Sequence, residues 1–172
     1  MSNGVQTPET VSQSAGIFRP MRRIRQQLEK DACEEILTKE WRGVLAVLGD
    51  RGYPYTVPLD FCYEDGKIWF HCAKEGHKLD AVKACDKVSF CVIRDDGQEP
   101  GEWWHHMSSV VVFGRIALVE DEKEKLEKLC RLGKKYFPTQ EHLEKEMSRS
   151  AAKAQVLEIT VEHITGKRVR EK

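Results

Sequence analysis

One dipeptide constrains this chain more than any other feature. Asp65-Gly66 lies between two runs rich in β-branched and aromatic residues, Thr56 to Tyr63 and Lys67 to His71. A two-residue type I′ turn needs positive φ at both central positions, which Asp-Gly tolerates, so the two runs are predicted to form an antiparallel hairpin. That turn sets the register. Tyr63 then faces Ile68, Phe61 faces Phe70 and Leu59 faces Cys72, which gives one apolar face for a core. The other face carries Pro58 with Ala73, Asp60 with His71 and Cys62 with Trp69. A mixed face of this kind suits a subunit interface or a ligand better than bulk core.

The second run continues into Gly76-His77-Lys78, and Leu79 and Val82 follow three apart, so a short amphipathic helix is predicted there. A helix start presents unpaired backbone N–H groups and a partial positive charge, which together attract anions. Lys78 adds a full charge, and Gly76 lets the backbone approach a ligand closely. One reading is a phosphate site at Gly76 to Lys78. The other is a solvated loop in which Lys74, His77 and Lys78 are ordinary surface residues, and the spacing alone favours it.

Four further apolar runs read as strands: Gly43 to Leu48, Lys87 to Ile93, Ser108 to Val119 and Gln155 to His163. Gly114 marks a bulge or bend in the third of these. Asp31 to Glu34 and Asp121 to Glu124 resemble capping boxes that open helices. Leu126, Leu129 and Cys130 give helical spacing after the second box, with Gly133 and Pro138 closing that segment. About six strands with a few short helices point to a mainly β chain closed into a barrel, because closure removes exposed edges.

The 172 residues suit a single domain over 18–172, preceded by residues 1–17, a Ser-, Thr- and Gln-rich tail expected to be disordered. Lys plus Arg equals Asp plus Glu at 28 each, which removes the broad basic footprint of a nucleic-acid binder. The arginines at 19, 22, 23 and 25 form only a local cluster. No run approaches the roughly 20 apolar residues that span a membrane. The first 16 residues lack a basic and an apolar leader region, so a cytoplasmic location is expected. The six cysteines show no CxxC spacing, and His105-His106 point to opposite sides of a strand, so no metal site is expected. Cys62 and Cys72 fall on opposite hairpin faces, which argues against a disulfide between them. There is no GxSxG, GxGxxG or P-loop. Trp103-Trp104, after Pro100-Gly101, is a loop-borne aromatic pair suited to covering a flat ligand or to plain packing.

An ordered series of short motifs carries a resemblance. It comprises Met21-Arg22-Arg23, the segment from Gly43 (GVLA), that from Gly52 (GYPYTVPL), that from Asp65 (DGKIWFH), Gly76-His77-Lys78, that from Lys87 (KVSF), that from Ser109 (SVVVFG) and that from His163 (HITGK). Over Phe18 to Lys167 the chain resembles the pyridoxamine 5′-phosphate oxidase-related, FMN-binding split β-barrel group, and within it the nitroimidazole-resistance branch. The resemblance implies a six-stranded split barrel with short flanking helices. It also implies a homodimer with FMN in clefts at the subunit interface.

Carried onto this sequence, the resemblance sets Thr56, Val57 and Pro58 along the isoalloxazine edge and His71, Cys72 and Ala73 beside the ribityl-phosphate path. His77 and Lys78 would hold the phosphate, and Ser109 and Val110 would face the flavin, with Trp104 stacked near it. Oxidase members use a basic triplet where this chain has Met107-Ser108-Ser109, which shifts the phosphate load onto Lys78 and departs from true pyridoxamine-phosphate oxidation. The implied activity is an FMN-dependent oxidoreductase that takes electrons from NAD(P)H to a small organic acceptor, such as a nitro group. His77 is the candidate proton donor, because imidazole is the side chain suited to moving a proton near neutral pH. Two alternatives stay open: a haem-binding split barrel with His71 or His77 as axial ligand, and a flavin-binding protein without catalysis.

Overall fold

The computed structural model describes residues 18–169, so the segment expected to be a disordered tail lies outside the described residues. The strands are β1 (Gln27–Leu28), β2 (Arg42–Leu48), β3 (Pro54–Asp60), β4 (Cys62–Glu64), β5 (Lys67–Cys72), β6 (Lys87–Gly97), β7 (His106–Leu118) and β8 (Gln155–Val169). The helices are α1 (Lys30–Lys39), α2 (His77–Ala84), α3 (Glu122–Tyr136) and α4 (Gln140–Ser150). The strands form one antiparallel sheet in the order β3-β2-β6-β7-β8-β5-β4, with β1 added beside β8. The fold is the expected mainly β split barrel. Its six long strands are those predicted, once β3 and β4 are counted as two halves of one run.

Alternation explains why these runs sit where they do. Leu45 and Val47 of β2, Val88, Phe90 and Val92 of β6, and Val110, Val112 and Ile116 of β7 point inward and are buried. Their neighbours Val44, Ala46, Cys91 and Val111 point outward and are half-buried. Phe61, Phe70 and Phe90 meet at the centre of the core, with Phe61 edge-on to Phe90 at 5.0 Å between ring centroids. Buried Ile36 and Leu37 of α1, and Leu79 and Val82 of α2, complete the same core. Gly114 sits at a register shift against β8, and a Cβ there would lie 2.4 Å from the Thr160 carbonyl oxygen, so the bulge requires glycine.

The hairpin register holds only beside the turn. Tyr63 pairs with Ile68 and Cys62 with Trp69, as Asp65-Gly66 dictates. At Phe61 the chain leaves β5. Asp60 pairs instead with Arg42 and Leu59 with Gly43, so the predicted Asp60–His71, Leu59–Cys72 and Phe61–Phe70 pairs do not form. β3 and β4 therefore end up at opposite ends of the strand order although one residue separates them, which is how the sheet closes on itself.

The corner leaves the Phe61 backbone without a ladder partner, and α3 supplies the missing contacts. The Phe61 N–H donates to the Tyr136 hydroxyl at 2.9 Å. That hydroxyl in turn reaches the Trp41 and Phe61 carbonyls. Lys135 Nζ donates to the carbonyls of Glu40 at 2.6 Å and Phe61 at 3.2 Å.

Cys62 and Trp69 were expected on a mixed face. They are buried instead, in a second apolar cluster with Leu129 and Leu132 of α3. The Trp69 Nε1–H donates to the Lys128 carbonyl at 3.1 Å. α3 opens as predicted, with the Asp121 side chain accepting from the Glu124 N–H at 2.8 Å. Its buried stripe is Leu129 and Leu132, whereas Leu126 is exposed, and Gly133 lies inside the helix against Leu143 rather than ending it. The other expected box does not form, since α1 starts at Lys30 with no side-chain cap.

Candidate functional site

The barrel is split where β3 and β5 diverge, and α2 starts across that mouth. Gly76, the residue before α2, has φ of +126°, with nothing within 4 Å of where a Cβ would stand. L side chains rarely adopt that backbone conformation, and glycine leaves the approach to the helix start open. No side chain caps the first turn of α2. The Leu79 N–H donates to the Gly76 carbonyl at 2.9 Å, which leaves the N–H groups of His77 and Lys78 as the donors that suit an external anion.

The two residues after Gly76 tie the helix start to both sides of the split. The His77 ring stacks on Tyr55 of β3 at 4.3 Å, and its Nε2 lies 3.7 Å from an Asp50 carboxylate oxygen. Lys78 Nζ lies 5.6 Å from the centroid of the Phe70 ring of β5. Phe70 is fully buried and Lys78 half-buried, so the ammonium lies against the edge of the core beside the helix start. The same charge acts on Cys72, whose thiol is pushed above its ordinary pKa by burial and drawn partly back by Lys78.

The remaining predicted residues fall into two groups. Thr56 and Pro58 are exposed on β3, with half-buried Val57 between them. β3 is an edge strand hydrogen-bonded only to β2, and it carries Pro54 and Pro58, a residue type confined to such edges. His71 and Ala73 are exposed and Cys72 is half-buried at the end of β5. Thr56 and Pro58 point away from the β3 face that carries Tyr55, and His71 points to the face of β5 opposite Phe70, toward Asp60 and α3, so the contacts place Cys72, His77 and Lys78 at the start of α2.

Ser109, Val110 and Trp104 do not join them. Ser109 lies on the outer face of β7, which is three ladder steps, or about 14 Å, from β3. Val110 is fully buried in the core, so its side chain is packing. Trp104 sits on the β6–β7 connection, edge-on to exposed Trp103 at 5.5 Å.

Two features arise only from tertiary packing. Ser108 is fully buried and donates to Asp96 at 2.5 Å, while Arg94 Nε reaches the same carboxylate at 2.8 Å and Arg168 Nε reaches Ser108 Oγ at 3.2 Å. Burial opposes ionisation of Asp96. The hydrogen bonds from Ser108 and Arg94 outweigh it and hold the carboxyl below its usual pKa. This network makes a polar cap at one end of the inner face. The second feature is a cavity of about 360 Å³ between the α3–α4 hairpin and the split, with Asp60 and His71 at its rim. It depends on α4, which the sequence reading did not include.

The family model for pyridoxamine 5′-phosphate oxidase matches residues 29–168. The chain belongs to the pyridoxamine 5′-phosphate oxidase family. No curated protein matches the sequence significantly. Solved structures with the same fold include a candidate 5-nitroimidazole antibiotic resistance protein from Bacteroides thetaiotaomicron. It is 21% identical with a TM-score of 0.71, and the match covers 83% of this chain and 86% of that one. A FAD-binding protein from Mesorhizobium loti is 24% identical, with a TM-score of 0.62 and coverage of 84% and 98%. A FAD- and haem-binding protein from Mycobacterium smegmatis is 15% identical, with a TM-score of 0.68 and coverage of 85% and 74%.

Proposed function

We infer that the protein is a homodimeric FMN-dependent oxidoreductase that moves electrons from NAD(P)H to a small organic acceptor, with nitro groups of the nitroimidazole kind as candidate acceptors. The observation that carries this reading is the start of α2, which bridges β3 through His77 and Tyr55 and β5 through Lys78 and Phe70. Open backbone at Gly76 and the Lys78 charge fit a phosphate there. When bound, FMN supplies a ring that accepts hydride from reduced nicotinamide and passes electrons on. Thr56, Val57 and Pro58 would hold the ring edge, and His71, Cys72 and Ala73 would hold the chain between ring and phosphate. His77, stacked on Tyr55 and 3.7 Å from Asp50, would be the group that passes a proton to the acceptor.

A second copy of the chain accounts for the residues left far from the split. The outer sheet face exposes Leu48 at 51%, Ile93 at 56% and Phe113 at 39%, around half-buried Val44, Cys91 and Val111. Exposed apolar side chains gathered on one sheet face support reading that face as the interface. A dimer through it would bring Ser109 and Trp104 of the second copy toward the β3 edge.

An absorption spectrum of freshly purified protein tests the reading. Paired bands in the blue and near ultraviolet support flavin, and a colourless protein overturns the reading. A single intense Soret band instead supports haem at exposed His71, the second reading, in keeping with the haem-binding relative of the same fold. Anaerobic NAD(P)H should then bleach the flavin bands. Bands that persist identify a flavin-binding protein without this activity.

A further inference from the structure

The cavity behind the split differs in chemistry from its mouth. Its wall is apolar, formed by Leu129, Leu132, Met147 and Ala154, and Tyr136 and Phe137 add aromatic surface. Its volume of about 360 Å³ falls in the range of small-molecule pockets, roughly 300–1,000 Å³. Asp60 and Glu146 line it together with His71, and no lysine or arginine does. Arg42 Nε lies 3.1 Å from Asp60 and offsets part of that charge. Glu146 accepts a hydrogen bond from the Ser150 hydroxyl at 2.5 Å, a neutral donor that leaves the carboxylate charge in place.

We propose that this cavity binds a small organic cation, with a compact apolar or aromatic body carrying an ammonium head. The body replaces water against Leu129, Leu132 and Met147. The head meets Glu146, Asp60 and the face of Phe137, which attracts cations through the ring quadrupole; Lys135 already lies 5.7 Å from the Tyr136 centroid, so that ring packs against the body instead. A phosphate-bearing ligand is repelled by the same carboxylates, so the cavity takes a different ligand from the site proposed at α2; the two share only His71 at their border, and the cation proposal does not rest on the other.

Three probes with one body separate the charge states: 4-phenylbutylammonium, 4-phenylbutanol and 4-phenylbutyrate. Met147 is one of four methionines, and its ¹³C-labelled methyl group reports on the cavity directly in the full-length protein. The ammonium should shift the Met147 signal saturably and bind at least about tenfold tighter than the alcohol, with the acid weaker still. Glu146→Gln should shrink the ammonium preference to about threefold or less. Ala154→Trp, which fills the cavity, should abolish the shift while circular dichroism stays native. The proposal is overturned if the ammonium gives no saturable shift, or if the alcohol or acid binds equally well. It is also overturned if a folded Ala154→Trp protein still binds the ammonium. If that variant fails to fold, the conservative Glu146→Gln variant decides.

Discussion

Tyr136→Phe removes one oxygen from the corner that closes the barrel. In the wild type, that oxygen accepts from the Phe61 N–H at 2.9 Å and serves the Trp41 and Phe61 carbonyls. Phe61 is fully buried, so without the hydroxyl its N–H has no water to turn to. An unsatisfied buried donor costs about 1–3 kcal/mol, and the lost bond to a carbonyl adds about 1 kcal/mol. Lys135 still donates to the Phe61 carbonyl at 3.2 Å, which keeps the estimate near the middle, at about 2–3 kcal/mol. In a chain of this size that is a fall in Tm of about 4–12 °C.

Urea denaturation at fixed protein concentration reads the change as a lower midpoint with an unchanged slope. Tyr53→Phe is the control, since Tyr53 is 73% exposed and should be neutral. Burial pushes the Tyr136 hydroxyl up to about 12 from an ordinary value of 10. Its folded pKa is raised, so its contribution is complete below pH 10 and is lost as pH rises through about 12. The phenylalanine variant should lack its share of that alkaline loss. A variant within about 0.5 kcal/mol of wild type would refute the claim that the hydroxyl satisfies the corner.

Lys78→Ala should weaken FMN retention about 10- to 100-fold through loss of a charge-assisted phosphate contact; unchanged affinity in a fluorescence titration removes Lys78 from the site. Ile93→Asp places a charge in the centre of the outer face, and light scattering should then report a monomer in place of a dimer. Glu158 accepts from Lys67 at 2.7 Å and also pairs with Lys128. Burial works against its ionisation, but the two lysines prevail and hold its pKa below the ordinary range. Stability from this group is therefore present above the ordinary glutamate range and lost as pH falls through the lowered value. Glu158→Gln should cost about 1–3 kcal/mol at neutral pH and flatten the acid limb of a stability-against-pH curve; an unchanged limb contradicts this.

What could be read in advance was local. Asp65-Gly66 fixes Tyr63 opposite Ile68 because the turn and its first pairs are a few residues apart. The break at Phe61 is not local. β2 takes the preceding residues as partners, and the corner is made tolerable by Tyr136, 75 residues away in sequence. Gly76 to Lys78 was legible as a helix start because its glycine and cation sit at the start itself. The bridging contacts to Tyr55 and Phe70 that decide between site and surface loop are tertiary. α4 escaped notice because it is mostly polar and buries little beyond Leu143, although Thr139 caps it and Leu143 and Met147 stand four apart. Without α4 the cavity had no wall.

The place of β8 in the sheet has a consequence for how the chain matures. β8 is the latest strand in sequence, yet it lies between β7 and β5. Before it inserts, the other long strands can form only two open pieces, β3-β2-β6-β7 and β5-β4, each with bare edges that invite association with other chains. Pairings this distant in sequence are slow to form. The split mouth draws one wall from each piece, β3 from the first and β5 from the second. A ligand held across that mouth would therefore recognise only molecules whose last strand is already in place, and its capture would mark the end of folding rather than guide its start.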